Sequence, residues 1–467
     1  MKFAARIRDF WNEFKHRKIG ILGLGILVVI VSISVLAPVI APMDPTRWSD
    51  VNYWTNNPKG VPPTWAYYLQ GKVPIPQLYL ENYKTKLTKI SGYPMIQVFL
   101  PINYSYTEFP TMVKWKINLT FVGAGAFYEI YIMRPDRKKI TLYTGTATTS
   151  NASQGWTVIE IDATRHPDVE RRIGEWLSSV GLDINKIQVA APIQIAFADL
   201  KLLKKNKVVP LKGKYVFTVR AIAQGKNINV TQFRVILGAT AYGLLGTDKS
   251  GRDLFKGLVW GTPIALLIGV LTSVLGVAIG LLYGVTSGYI GGWSDEAMMR
   301  VVDILMSLPK LPILIVLAIA YRPTIWLIIL FLTIFGWMGI ARVSRSIALQ
   351  LKESAFVEAA RAIGASRKRI ILVHIIPNIV PYTVAALALG IPDAILTEAA
   401  LSFLGLGDPS LPTWGAILNQ AQTGGALGSG MWWWFIPPGL AIAVVSMAFV
   451  FIGYAVDEIV NPRLRRR

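Results

Sequence analysis

From Gly257 to Ser294 the chain carries no charged side chain. A run of that length exceeds the roughly 20 apolar residues that cross a bilayer as one helix. In hydrocarbon every backbone N–H and C=O must be satisfied within the protein, which leaves helices or closed barrels. A second uncharged run extends from Ile19 to Met43. Only 16% of the 467 residues are charged and 53% are hydrophobic, against about 25% charge in soluble domains. The expected class is a polytopic, helical membrane protein.

Arg6, Arg8, Lys15, Arg17 and Lys18 precede the first run, which predicts a cytoplasmic N-terminus by the positive-inside rule. "APVIAP" near the end of the run fits a signal-peptide cleavage region. The run is nevertheless longer than the ~7–15 apolar residues of a signal peptide, so an uncleaved anchor is expected. The net charge of +21 gathers beside apolar runs, as in "KFAARIRDFWNEFKHRK" and "NPRLRRR". That placement points to membrane lipid and topology rather than to nucleic acid. With no cysteine, and His16, His166 and His374 scattered, no disulfide and no metal site are expected.

Residues 44–238 read differently. Short β-branched and aromatic runs alternate with turn residues: "MIQVFLPINY", "VKWKINLTFVGAG", "FYEIYIMRP", "KITLYTG", "WTVIEID", "KIQVAAPIQIAFADL", "KYVFTVRAIA" and "NVTQFRVILG". This spacing predicts a mainly-β, sandwich-like domain, extracellular by topology. "HPDVERRIGEWLSSVG", with acids early and Gly181 late, predicts one helix. Asn103, Asn118, Asn151 and Asn229 head N-x-S/T triplets and are candidate glycosylation sites.

Further spans are expected at about 262–287, 302–321, 324–341, 381–404 and 436–456. With 1–43 this makes six membrane helices, both termini inside. The 302–321 span is compromised by Asp303 and Lys310, which must snorkel.

Residues 351–415 hold the most specific pattern. Glu358-Ala359-Ala360 is followed by Gly364 and then Pro377, with His374 and Asn378 beside it; "EAALSFLGLG" (398–407) and "PTWG" (412–415) come later. "LLGTDKSGRDLFKGLVWGTPIAL" (244–266) and "GYIGGWSDEAMMRVVDILMSLP" (288–309) form a second block. These residues resemble the permease subunits of ATP-binding-cassette importers of the dipeptide/oligopeptide/nickel type, specifically the second, C-type permease. The resemblance covers about 1–45 and 240–467 and implies a type I importer permease fold in 239–467. It also implies a second homologous permease, two ATPase subunits and an extracellular substrate-binding protein as partners. The chain itself would be non-catalytic and bind no cofactor, with ATP and Mg on the ATPases. The implied substrate is a di- or oligopeptide, with oligosaccharides or nickel as the alternative. The 44–238 insertion departs from the family pattern.

The residues support the same role. No GxxxxGK[ST] phosphate loop occurs, so work must arrive from outside. In the loop 351–380, Ala355, Ala359, Ala360 and Ala362 favour a helix with a close-contact face, Glu358 supplies a charge and Gly364 a break. Glu358, Ala359, Ala360, Arg361 and Gly364 are therefore the candidate coupling residues. Asp393 and Glu398 are ionisable groups within a span and candidates for a gate or pathway. Trp432, Trp433 and Trp434 read as an interfacial aromatic belt, with a lid or a surface touching the binding protein as the alternative, and Trp115 and Trp156 as core residues or ligand platforms. Competing readings are a membrane-anchored surface-binding protein acting through its β domain, and a polytopic enzyme. The first leaves five spans unexplained, and no nucleophile–base pair supports the second.

Overall fold

A computed structural model describes residues 10–148, 155–184, 187, 189 and 191–460. The chain divides into two compact units, residues 1–51 with 254–467, and residues 52–253.

Among its described residues the 52–253 unit holds nine antiparallel strands. One sheet has the order β1 (Leu78–Leu80), β9 (Ile228–Leu237), β4 (Val113–Phe121), β7 (Gly155–Asp162). The other runs β2 (Lys84–Ile90), β3 (Tyr93–Tyr104), β8 (Gly213–Ala223), β5 (Gly125–Met133), β6 (Lys139–Thr148). Alternation decides which face is buried. Along β4, Trp115, Ile117, Leu119 and Phe121 point inward, while Lys116, Asn118 and Thr120 are only half-buried. Phe217, Val219 and Ala221 of β8 meet them in one apolar cluster, so the two sheets form a sandwich. A helix covers Pro167–Ser179, with Asp168 and Glu170 in its first turn.

The expected strand at "KIQVAAPIQIAFADL" is absent from its described part. A 3-10 turn covers Pro192–Phe197 and a short helix Leu200–Leu203. Pro192 fits the first turn of a helix, and Ile193, Ile195 and Phe197 still reach the core. The unit is also offset from 44–238. Backbone hydrogen bonds from Tyr242 to Pro62 and from Thr247 to Val61 tie the 239–253 segment into it. Trp48, by contrast, packs on Gly257 in the helical unit.

Glu129 is buried on β5, paired with Lys139 and Arg220 and accepting from Thr141. Burial alone would push its carboxyl up, but the Lys139 and Thr141 hydrogen bonds and the two cations hold it below its ordinary value. Tyr242 is pushed up to about 12, chiefly by burial.

Among the described residues the helical unit holds five helices long and apolar enough to cross a membrane. Together with Pro167–Ser179 (α2), they and their neighbours are numbered in chain order. α1 is Lys18–Ile40, α3 Leu254–Ile290, α4 Gly292–Ser307, α5 Lys310–Ala320, α6 Ile325–Gly336 and α7 Met338–Lys352. α8 is Ala355–Ala362, α9 Ile376–Phe403, α10 Trp414–Thr423 and α11 Trp432–Val460. α6 and α7 together form one candidate span, and residues 367–375 extend α9 at its start into a second. α3 is continuous for 37 residues, so the segment before 262 is helical rather than separate. Arg17 pairs with Glu458 at 2.9 Å, so the start of α1 meets the end of α11.

The expected 302–321 span is broken. α4 and α5 meet at a 79° bend. Leu308 has extended backbone, ψ 134, because the ring of Pro309 disfavours the helical conformation in the residue before it. The aromatic belt also differs from expectation: Trp433 and Trp434 are buried, and Trp434 packs on Gly424.

Candidate functional site

The frame of the site is a glycine ladder. Gly276, Gly280, Gly284 and Gly288 recur every fourth residue on α3 and lie along one face of it. A β-carbon on Gly280 would sit 2.5 Å from the Trp337 carbonyl oxygen and one on Gly288 2.7 Å from that of Arg345. On Gly284 it would overlap the Ala341 carbonyl. The backbones of α3 and α7 are thus in direct contact, as small-residue stripes allow between membrane helices. The four-residue glycine period is visible in the sequence.

α7 leads into the loop at 351–380. Ser354 precedes α8, and Val357 and Ala360, three residues apart on one face, are buried with Val285, Tyr289, Ala348, Ile370 and Ile379. This anchors α8 onto α3, α7 and α9. Ala360 therefore packs inward, not on the outer contact face where its size had suggested it. Glu358, Ala359, Arg361 and Gly364 are exposed. Phe356 is exposed beside them, and Ile363 is 85% exposed. Gly364 has φ +79 and ends α8: its N–H donates to Arg361 and that of Ala365 to Ala360, the closing pattern glycine permits best. Asn378 donates to the His374 carbonyl at 2.6 Å within the following turn.

Two ion pairs join α7 to α4. Arg345 holds Asp295 through two hydrogen bonds of 2.6 Å, and the Ser287 hydroxyl donates to the same carboxylate. Arg342 meets Asp303 at 2.6 Å. Beyond the 79° bend, Lys310 opens α5 and pairs with Asp393 of α9 at 3.0 Å. A continuous path of contacts thus runs from α8 through α7 and α4 to Lys310 and Asp393.

Asp393 and Glu398 do not share a face. Asp393 is 69% exposed as a side chain, on a stripe with Leu389 and Leu396. Glu398 is 3% exposed and accepts from the Ser402 hydroxyl at 2.5 Å. It sits where the end of α9 packs on α10. A β-carbon on Gly407 or Gly415 would strike Ser402, and one on Gly261 would strike the Trp414 indole. The Trp414 indole donates to the Leu258 carbonyl at 3.0 Å. The "EAALSFLGLG" and "PTWG" stretches are, on this geometry, a close packing of α9, α10 and α3.

In the β unit, Asn103 and Asn229 are exposed on strands. Asn118 is half-buried and donates to Gln232 at 3.1 Å, and Asn151 lies outside the described residues. Trp115 is in the core, whereas Trp156 is 73% exposed on β7. Among the described residues no cluster of potential metal ligands is found.

Comparison with known families matches residues 276–466 to the binding-protein-dependent transport system inner membrane component. Residues 6–61 match the N-terminal TM domain of oligopeptide transport permease C. The dipeptide transport system permease protein DppC of Bacillus subtilis (strain 168) is 36% identical over 222 residues, 47% of this chain and 69% of that protein. The oligopeptide transport system permease protein OppC of the same organism is 38% identical over 47% of this chain and 72% of that protein. Its Haemophilus influenzae namesake is 39% identical over 48% and 71%. A solved chain from "Inward facing conformations of the MetNI methionine ABC transporter" aligns at 22% identity over 44% of this chain and 95% of that one, with a TM-score of 0.36.

Proposed function

The chain belongs to the inner-membrane permeases of peptide-type, binding-protein-dependent ABC importers, and on that premise we propose that it forms half of a translocation path for di- and oligopeptides, worked by separate ATPase subunits through the loop at 351–380. The observation that carries this reading is the two-sided character of α8. Val357 and Ala360 lock it to the helical unit, while Glu358, Ala359, Arg361 and Ile363 stay exposed. A helix held firmly on one face and bare on the other transmits a push from whatever docks on it. The bare side joins one acidic and one basic side chain to apolar area, which suits a recurring protein contact better than a lipid surface alone.

In this reading the partners are a second, homologous permease subunit, two ATPases carrying ATP and Mg, and an extracellular binding protein. Six spans, the α4–α5 pair counting as one, would put both termini in the cytoplasm; the Arg17–Glu458 pair supports a common side for α1's start and α11's end. An even number of spans after residue 253 is not needed for the β unit to lie outside, since α1 alone carries the chain across. There the unit would dock the binding protein or support the assembly. Closure of the ATPases would move α8, and the α7–α4 ion pairs would carry that motion to Lys310 as a rigid-body switch.

The test is co-purification from the native membrane, followed by peptide uptake in proteoliposomes. Isolation without a second permease and ATPases, or peptide uptake unchanged by Glu358→Arg, overturns the coupling assignment.

A further inference from the structure

Lys310 and Asp393 line a small cavity of about 50 Å³ within the helical unit, together with Thr272, Ser273, Gly276 and Gly390. Three features of this cavity need a common explanation. Asp393 lies ~15 Å along the helix from the Phe403 end of α9, yet its side chain is largely exposed. A carboxylate at that depth does not face lipid; such groups face a bundle interior or a water-filled path. Lys310 opens the second half of a broken helix, the kind of element that forms substrate sites near the membrane midplane. The Thr272 hydroxyl is 5% exposed as a residue and among the described residues meets no hydrogen-bond partner. Buried hydroxyls are normally paired.

The space is close to that of one or two waters, each about 30 Å³ in the liquid. It cannot hold a peptide, but it can hold one end of one. The acceptors around it are the Asp393 carboxylate and the Thr272 hydroxyl, and outside the cavity the Thr397 hydroxyl lies 3.4 Å from Lys310 Nζ. Ser273 spends its proton on the Leu387 carbonyl at 2.9 Å, so it too presents only lone pairs to the cavity. Gly390 keeps the space open, because a β-carbon there would lie 2.6 Å from Ser273 Oγ. A ring of acceptors with one carboxylate is a site for an ammonium group, and in this structure the ammonium present is that of Lys310.

We propose that Lys310 is a tethered stand-in for the substrate, and that a peptide's free N-terminal ammonium displaces it from Asp393 during passage. The empty path stays closed because Lys310 bridges α5 to α9. An arriving ammonium takes over Asp393 and Thr272, freeing Lys310 and the half-helix it begins. This rests on the importer reading, and it makes Asp393 a determinant of specificity for peptides with an unblocked N-terminus.

The experiment uses the complete transporter with its partner subunits, and trialanine against N-acetyl-trialanine. In uptake assays the ratio of free to acetylated peptide should fall at least tenfold in Asp393→Asn relative to wild type; selection by the binding protein is common to both and cancels. Lys310→Met should keep the preference and raise peptide-independent ATP hydrolysis. In thermal melts of the purified complex, trialanine should raise the midpoint more than its acetylated form, and the difference should vanish in Asp393→Asn. An unchanged ratio in Asp393→Asn, or loss of the preference in Lys310→Met, overturns the proposal while leaving the importer reading in place. A differential melt without ATP-driven uptake supports the ammonium site and counts against the importer reading.

Discussion

Arg345 grips Asp295 with two parallel N–H groups, Nε to Oδ1 and Nη2 to Oδ2, each at 2.6 Å. The pairing fixes α7 against α4 with a defined orientation, which a single lysine contact would not do. Arg345→Met leaves the mostly buried Asp295 without its cation and should cost about 3 kcal/mol of stability, the low end for a buried pair because Arg345 is partly exposed. Asp295→Asn/Arg345→Met should cost less than the sum of the single changes. Thermal melts of the purified complex measure both, and strict additivity would show that the two residues act independently.

Gly364 occupies a left-handed conformation with open space where a β-carbon would project. The penalty for a side chain there is therefore backbone strain alone, roughly 1–2 kcal/mol for alanine and less for asparagine, which tolerates that region. Gly364→Ala should loosen the end of α8, raising hydrogen exchange at Ile363–Ala365 and lowering transport per ATP. Gly364→Asn should lie between alanine and wild type. Equal exchange in all three would place the strain elsewhere.

Gly284 is packed against the Ala341 backbone with no room to spare. Gly284→Val should separate α3 from α7 and cost more than about 3 kcal/mol, at the upper end for overpacking. Gly339, which meets nothing within 4 Å, serves as the control, and Gly339→Ala should be near neutral. The check is yield and melting temperature of the purified chain, and similar values for the two variants would refute the ladder's role.

The Glu129 carboxyl titrates below its ordinary value of 4.5 in the folded β unit. Its contribution to stability is therefore complete above that value and is lost as the pH falls through the lower, folded one. Acid unfolding of this unit, followed by tryptophan fluorescence, should be less steep in Glu129→Gln. An identical acid limb in both proteins would mean that other carboxylates dominate.

Much of this architecture is written in local pattern. β4 is legible because its alternate residues carry the apolar side chains, and α2 because its acids and its glycine stand at opposite ends. The 3-10 turn at Pro192–Phe197 was hidden: its β-branched residues imitate a strand, and only the surrounding core decides their backbone. The break at Leu308 hung on one proline in an apolar run that was otherwise long enough to span. Ala360 looked like a contact residue because alanine is small; its spacing from Val357 points to the buried face instead. Lys310 and Asp393 were each visible as misplaced charges, but 83 residues separate them, and no local rule could pair them.

The ladder of bare backbone along α3 has a mechanical consequence. With backbone set directly on backbone at Gly280, Gly284 and Gly288, there is little between α3 and α7 to compress; the pair moves as one stiff rod, and bending is left to the corner at Leu308–Pro309. α3 is ~55 Å long at 1.5 Å per residue. Pivoted at one end, such a rod tilted by ~5° swings the other by ~5 Å, about the width of a peptide backbone. A small displacement delivered at one end would be enough to open the other.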